Sequence, residues 1–163
     1  MAAIFASFKP LIVALEGETL VNIPGDPRGA VKYGISQHAY PLVDIANLTL
    51  DEACAILERD FWNHYSLGLF VFQSIANKVM SMLINDNPYS AILNIQKAVN
   101  NCGGDLIEDG LLTVATITAM NLIPEILLLN TVKLVDVAYC MFQVKVNPAQ
   151  SANLQAWLAR ALL

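Results

Sequence analysis

The chain has 163 residues, with 9 lysines and arginines against 14 aspartates and glutamates, a formal net charge of −5 and a pI of about 4.8. An acidic balance excludes the basic face that binding to a phosphate backbone requires, so no nucleic-acid partner is expected. The composition, 56% hydrophobic and 14% charged with mean hydropathy +0.51, excludes disorder, and the length suffices for one domain to bury a core without metal or disulfide.

The first apolar run, residues 4–15, contains Pro10, which predicts a helix that starts near the proline or is kinked there. No basic region precedes the run and it leads into Glu16 and Glu18, so no signal peptide is expected. Residues 17–36 change character: Gly17, Pro24, Gly25, Pro27, Gly29 and Gly34 forbid a helix and leave room for short extended pieces around 30–33. A loop that long in a compact domain is usually functional, and it lies immediately after the first helix.

Helices resume at Thr49-Leu50-Asp51-Glu52, a capping-box sequence in which the threonine hydroxyl and the glutamate satisfy free N–H groups of the first turn. That helix is expected to reach about residue 65, and another to cover 67–84. Asn87-Pro88 supplies an N-cap and a first-turn proline, and Gly103-Gly104 ends the helix they start. A short helix over 114–121 and a long one over 124–146 follow. A last helix is expected from Asn147-Pro148, with Gln150 completing a second capping box, to residue 163.

The stretch 126–144 is long enough to span a bilayer, but it contains Asn130, Lys133, Asp136 and Gln143. A charge near the bilayer centre costs roughly 2.5–3.5 kcal/mol, so a buried helix is expected and stable membrane insertion is not. Cys54, Cys102 and Cys140 are odd in number and widely spaced, without a CxxC pair and away from His38 and His64. They read as small buried apolar residues in a reducing compartment; neither a metal site nor a disulfide framework is expected.

The chemistry is sought in residues 16–36. Two carboxyl groups facing each other across a cleft, one protonated and one ionised, are what cleavage of a glycosidic bond needs. The negative end of a helix macrodipole favours a neutral carboxyl group, which suits a helix-terminal Glu16 to the acid role. Asp26, in the turn Gly25-Asp26-Pro27-Arg28-Gly29, would then activate water or stabilise positive charge on the sugar. The same two residues also fit a solvated helix end and an Asx-turn.

Glu16-Gly17, Val21-Asn22 and the run from Asp26-Pro27-Arg28-Gly29 through Gly34-Ile35-Ser36 resemble the signature EGGYVNDPxDPGGxTxxGIT of the family-108 glycoside hydrolases, lysozyme-like N-acetylmuramidases. The resemblance continues through Ala53 and Arg59-Asp60-Phe61-Trp62, similar to a family helix that ends in an aromatic pair. It extends to Ile95-Gln96-Lys97-Ala98, Asp109-Gly110 with Thr116, and Trp157-Leu158-Ala159-Arg160, which look like elements of a peptidoglycan-binding-like C-terminal part.

The resemblance implies a mainly α, lysozyme-like domain over 1–163, with a Gly/Pro-rich active-site loop or small β-hairpin after the first helix. Residues 1–86 would form the catalytic-type part and 87–163 the peptidoglycan-binding-like helical part packed on it. It implies Glu16 as the catalytic acid, Asp26 as the second carboxylate and no cofactor; Asn22, Tyr33 and Asn77 are candidate substrate-binding groups. Bacterial peptidoglycan is the implied partner, reached after cytoplasmic synthesis by release through a holin, or from within a virion.

The departures lie near the expected cleft. Val31 stands where the family has threonine, five positions after the aspartate, and supplies no hydroxyl. One extra residue separates Glu16 from Asp26, and Glu18-Thr19-Leu20 replaces the second glycine and tyrosine of EGGY. Arg28, Lys78 and Thr113 replace glycines, and Gln73 replaces a common aspartate. Glu18 could serve as acid if the insertion shifts the helix end by a turn. Two functions follow: a muramidase, or a lysozyme-fold protein of impaired catalysis that serves as a structural or wall-binding component. His38 and His64 are expected at the surface or in the core, Phe61, Trp62 and Tyr65 in an aromatic core cluster, and Asp105, Glu108 and Asp109 in a solvated turn.

Overall fold

The computed structural model describes residues 2–23 and 27–163. A 3-10 turn, Phe5–Ser7, leads into α1, Lys9–Glu16, which carries Pro10 in its first turn, where the missing N–H costs nothing. A hairpin of β1, Val31–Lys32, and β2, Ile35–Ser36, follows, with Val31 opposite Ser36 and Lys32 opposite Ile35. Its two-residue turn has positive φ at both Tyr33 (53°) and Gly34 (79°), the arrangement of a type I′ turn, whose twist matches the strands it joins. Val21 and Val31 exchange both backbone hydrogen bonds, at 2.9 and 2.8 Å, and so close the loop between them.

The capping box forms as expected: Thr49 Oγ1 accepts from the Glu52 N–H, and the Glu52 carboxylate accepts from the Thr49 N–H. It starts α2, Leu50–Leu57, which widens into a π-helical segment, Glu58–Asn63. The helix expected over 67–84 is shorter. Leu67–Leu69 form a 3-10 turn, and α3 runs only over Gln73–Asn85. The intervening backbone is claimed from outside: Phe70 O accepts from Ala3 N, while Asn121 pairs with both Leu69 O and Val71 N.

Next come α4, Pro88–Asn101, capped by Asn87, and α5, Val114–Asn121, capped by Thr113. Two more helices complete the chain, α6 over Glu125–Val146 and α7 over Leu154–Leu162. The second capping box does not form. Asn147 accepts from Ala149 N, but the Gln150 carbonyl oxygen takes the Asn153 side chain instead of reaching back, and Pro148–Asn153 is a 3-10 turn.

Phe8, Ile12, Ile35, Leu57, Leu67, Phe70, Ile75 and Met80 form one apolar core that joins α1, the hairpin, α2 and α3. The 22-residue α6 packs on α4, α7 and α3 and is only half-buried, not enclosed as expected. Leu128, Val132, Asp136 and Cys140, spaced four apart, face inward, while Ile126, Leu134 and Phe142 are more than half exposed. No described helix is long and apolar enough to cross a membrane.

Asp136 is the polar group on that inward face. Its Oδ2 accepts from Lys78 Nζ at 2.9 Å, both residues being 5% exposed, and Lys78 also donates to the carbonyl oxygens of Arg160 and Ala161. The three donors of one ammonium thus tie α3 to α6 and to the last turn of α7.

Candidate active site

Glu16 is the last residue of α1, and the chain leaves the helix through Gly17 at φ 73°. Its side chain is half-buried in a corner made by three elements. Asn85 Nδ2, at the end of α3, donates to Glu16 Oε1 at 2.8 Å. The hairpin turn covers the stem: a Cβ added at Gly34 would lie 3.1 Å from Glu16 Cγ and 3.3 Å from the Ile84 side chain. Gly34 is therefore needed twice, for its positive φ and for this close approach. Asn85 donates again to Ser81 O at 3.0 Å, which fixes the orientation of its amide.

The other expected site residues are dispersed. Asp26 lies outside the described residues. Asn22 is exposed beside the Val21–Val31 bridge. Tyr33 does not offer its ring to a groove, because at 9% exposure the ring belongs to the core and anchors the hairpin. Asn77 stands eight positions before Asn85, about 12 Å along α3, and its Oδ1 accepts from Gln73. Gln73 in turn accepts from Ile4 N, so that pair secures the N-terminal segment. Glu18 is exposed on the bend after Gly17.

The secondary candidates fall as expected, with structural partners. Trp62 is 5% exposed and packs edge-on against Phe5, while exposed His64 meets the Tyr65 ring; His38 is exposed. The Tyr40 hydroxyl donates to Asp60, itself clamped by the Arg59 guanidinium. Arg59 holds the Asp60 carboxyl below its ordinary value, and burial together with that hydrogen bond pushes Tyr40 up to about 12. Gln96 donates to Asp109 and accepts from Gly110 N, which joins two separate motifs into one turn. The three cysteines are free, Cys54 and Cys140 buried and Cys102 half-buried. Among the described residues no group of three or more His, Cys, Asp or Glu could hold a metal ion.

Asn85 is the contact that sequence reasoning missed. Its signal was spacing: positions 77, 81 and 85 fall on one face of a helix.

Residues 10–86 match the family model described as Glycosyl hydrolase 108. Over that segment the chain is similar to glycosyl hydrolase family 108. Its fold is also similar to the structure of SagA from Brucella abortus, with a TM-score of 0.71 at 21% sequence identity, covering 97% of this chain and 93% of that one. None of the curated proteins compared matches the chain. The fold is accordingly mainly helical and lysozyme-like with a small hairpin after α1, and the segment matched by the family ends where α3 ends.

Proposed function

We propose that this protein is a member of glycosyl hydrolase family 108 and an N-acetylmuramidase that hydrolyses the bond between N-acetylmuramic acid and N-acetylglucosamine in bacterial peptidoglycan. Glu16 is the general acid and Asp26 the second carboxylate, which activates water or stabilises charge at the sugar ring; no cofactor takes part. The observation that carries this reading is the Asn85–Glu16 hydrogen bond. The amide N–H holds Oε1 and leaves Oε2 to meet the leaving oxygen of the substrate. Asn22, exposed beside the Val21–Val31 bridge, is a substrate-binding group in this reading. Asn77 contributes indirectly, through the packing of α3.

Turbidity clearing and muropeptide release from purified Gram-negative peptidoglycan test the reading. Wild type clears the wall, and Glu16→Gln loses about 10²–10⁴-fold in rate while folding normally. Clearing by the variant at the wild-type rate rejects Glu16 as the acid.

Val31 favours a second reading, a lysozyme-fold protein of impaired catalysis that binds wall or serves as a structural component. Its backbone is fully engaged with Val21, and its side chain brings no hydroxyl to position water. Failure of the folded wild type to clear any wall supports this alternative. If the missing hydroxyl limits turnover, Val31→Thr raises the clearing rate; an unchanged rate means that the loop positions its water by other groups.

A further inference from the structure

The ends of α3 and α7 and the middle of α6 enclose a cavity of about 260 Å3. Met82, Cys140 and Ala161 supply apolar wall, and Trp157 and Tyr139 supply aromatic surface. Two opposite charges line it without meeting. Neither the Asp86 carboxyl, on the residue that ends α3, nor the Arg160 guanidinium of α7 forms a hydrogen bond or an ion pair among the described residues. Asp136 also borders the cavity, but it is satisfied by Lys78.

Lys78 has nothing left for Asp86, because its three donors go to Asp136 and to two carbonyl oxygens of α7. Burial, with the negative Asp136 nearby, accordingly pushes the Asp86 carboxyl up to about 6, against weaker opposing pulls from Lys78 and Arg160. This is a carboxylate short of positive charge, beside a guanidinium whose planar fork suits a carboxylate. An uncharged sugar would bring neither of these half-buried groups an opposite charge. A molecule bearing an ammonium and a carboxylate on one carbon satisfies both. The volume admits one such head and little more, being just below the roughly 300–1,000 Å3 of pockets that take larger ligands.

The cavity adjoins the Glu16 corner through one side chain. Asn85, which donates to Glu16, also lines the cavity. A wall glycan carries its peptides as branches, so a strand seated at Glu16 brings a peptide to this position. We propose that the cavity between α3, α6 and α7 binds the zwitterionic amino-acid end of a wall peptide, its ammonium on Asp86 and its carboxylate on Arg160. The identity of the peptide rests on the muramidase reading; the charge pattern of the cavity does not.

The ligand must meet an ionised Asp86. Asp86 is faced by Asp136, Tyr139 and Cys140 from α6, Lys78 from α3 and Arg160 from α7. Protonation of Asp86 removes the ammonium's partner, so affinity falls as pH drops below about 6.

The chain has two tryptophans, and Trp157 lines the cavity while Trp62 is packed against Phe5, so indole fluorescence reports binding; calorimetry reads the same event independently. The full chain, as Glu16→Gln to prevent turnover, is titrated with three probes: meso-diaminopimelate, its mono-N-acetyl derivative, and a disaccharide–tripeptide muropeptide ending in that diamino acid. Saturable binding is expected, tighter for the muropeptide than for the free diamino acid. Acetylation of the amine, Asp86→Asn and Arg160→Gln should each weaken it about tenfold or more. Absence of saturable muropeptide binding by the folded protein, or equal affinity for the acetylated compound, overturns the site. Equal affinity for the free diamino acid and the muropeptide overturns the assignment to wall peptide. Wall clearing by wild type without such binding sinks this inference and leaves the muramidase reading standing; binding without clearing does the reverse.

Discussion

The Glu16 corner and the seam where α3 meets α6 and α7 are built on the same helix, the one at its end and the other at its middle, yet opposite means build them. The corner is made by backbone geometry. A glycine at positive φ on each side of Glu16, in the exit from α1 and in the hairpin turn, lets main chain approach a half-buried carboxyl that one amide orients. Charge makes the seam: a buried lysine with all its donors engaged, a buried aspartate, and a second aspartate whose carboxyl has no hydrogen-bond partner among the described residues. A catalytic acid needs one oxygen held and the other open, which a sparse corner provides. A buried ammonium needs every donor satisfied, which only several converging elements can provide.

The largest expected effect falls on the seam. Lys78→Met leaves Asp136 buried and unpaired and should cost about 3–5 kcal/mol in chemical denaturation, whereas Lys78→Met with Asp136→Leu should recover most of that loss. A double variant no more stable than the single one would mean that the carbonyl contacts to α7, not the ion pair, hold the seam. Gly34→Ala tests the corner. Positive φ and a Cβ only 3.1 Å from Glu16 Cγ should together cost about 1–2 kcal/mol and slow wall clearing by displacing the acid. An unchanged clearing rate would show that the hairpin turn has no part in placing Glu16.

Asp86→Asn carries the smallest shift, with the opposite sign. The folded-state value near 6 lies above the ordinary 3.8, so the native protein holds this proton more tightly than the unfolded chain, and ionisation penalises folding above about pH 6. Asparagine removes that penalty. The variant should be more stable at pH 7 by on the order of 1 kcal/mol, with the difference fading as pH falls through 6 towards 4. A gain that persisted at pH 4 would place its origin in packing instead of charge.

Much of the corner could be read from residue order. Pro10 placed the start of α1, glycine and proline spacing marked the loop, and the resemblance implied a loop or small hairpin after that helix. Thr49 and Asn87 marked their helix starts because a cap acts within four residues of chain, and Thr113 caps α5 by the same local means. Where a distant partner intervened, local signals failed. Asn121 drew backbone groups away from the expected start of α3, and Tyr33, polar enough to suggest a groove, was buried by the hairpin's own packing. Gln96 and Asp109-Gly110 were recognised as separate motifs, and only their hydrogen bonds showed them to be one turn.

What the sequence determined by itself was what short-range forces decide, helix starts and stops and the loop after α1, together with the acidic composition and a signature-like run that begins at Glu16 and includes Asp26. The tertiary structure alone decided which residue orients Glu16, that Lys78 in place of a glycine meets Asp136 fifty-eight positions away, and that Asp86 and Arg160 share a cavity. Capping and turn formation depend on neighbours along the chain, whereas a buried charge is settled by whichever partners folding brings within hydrogen-bonding distance.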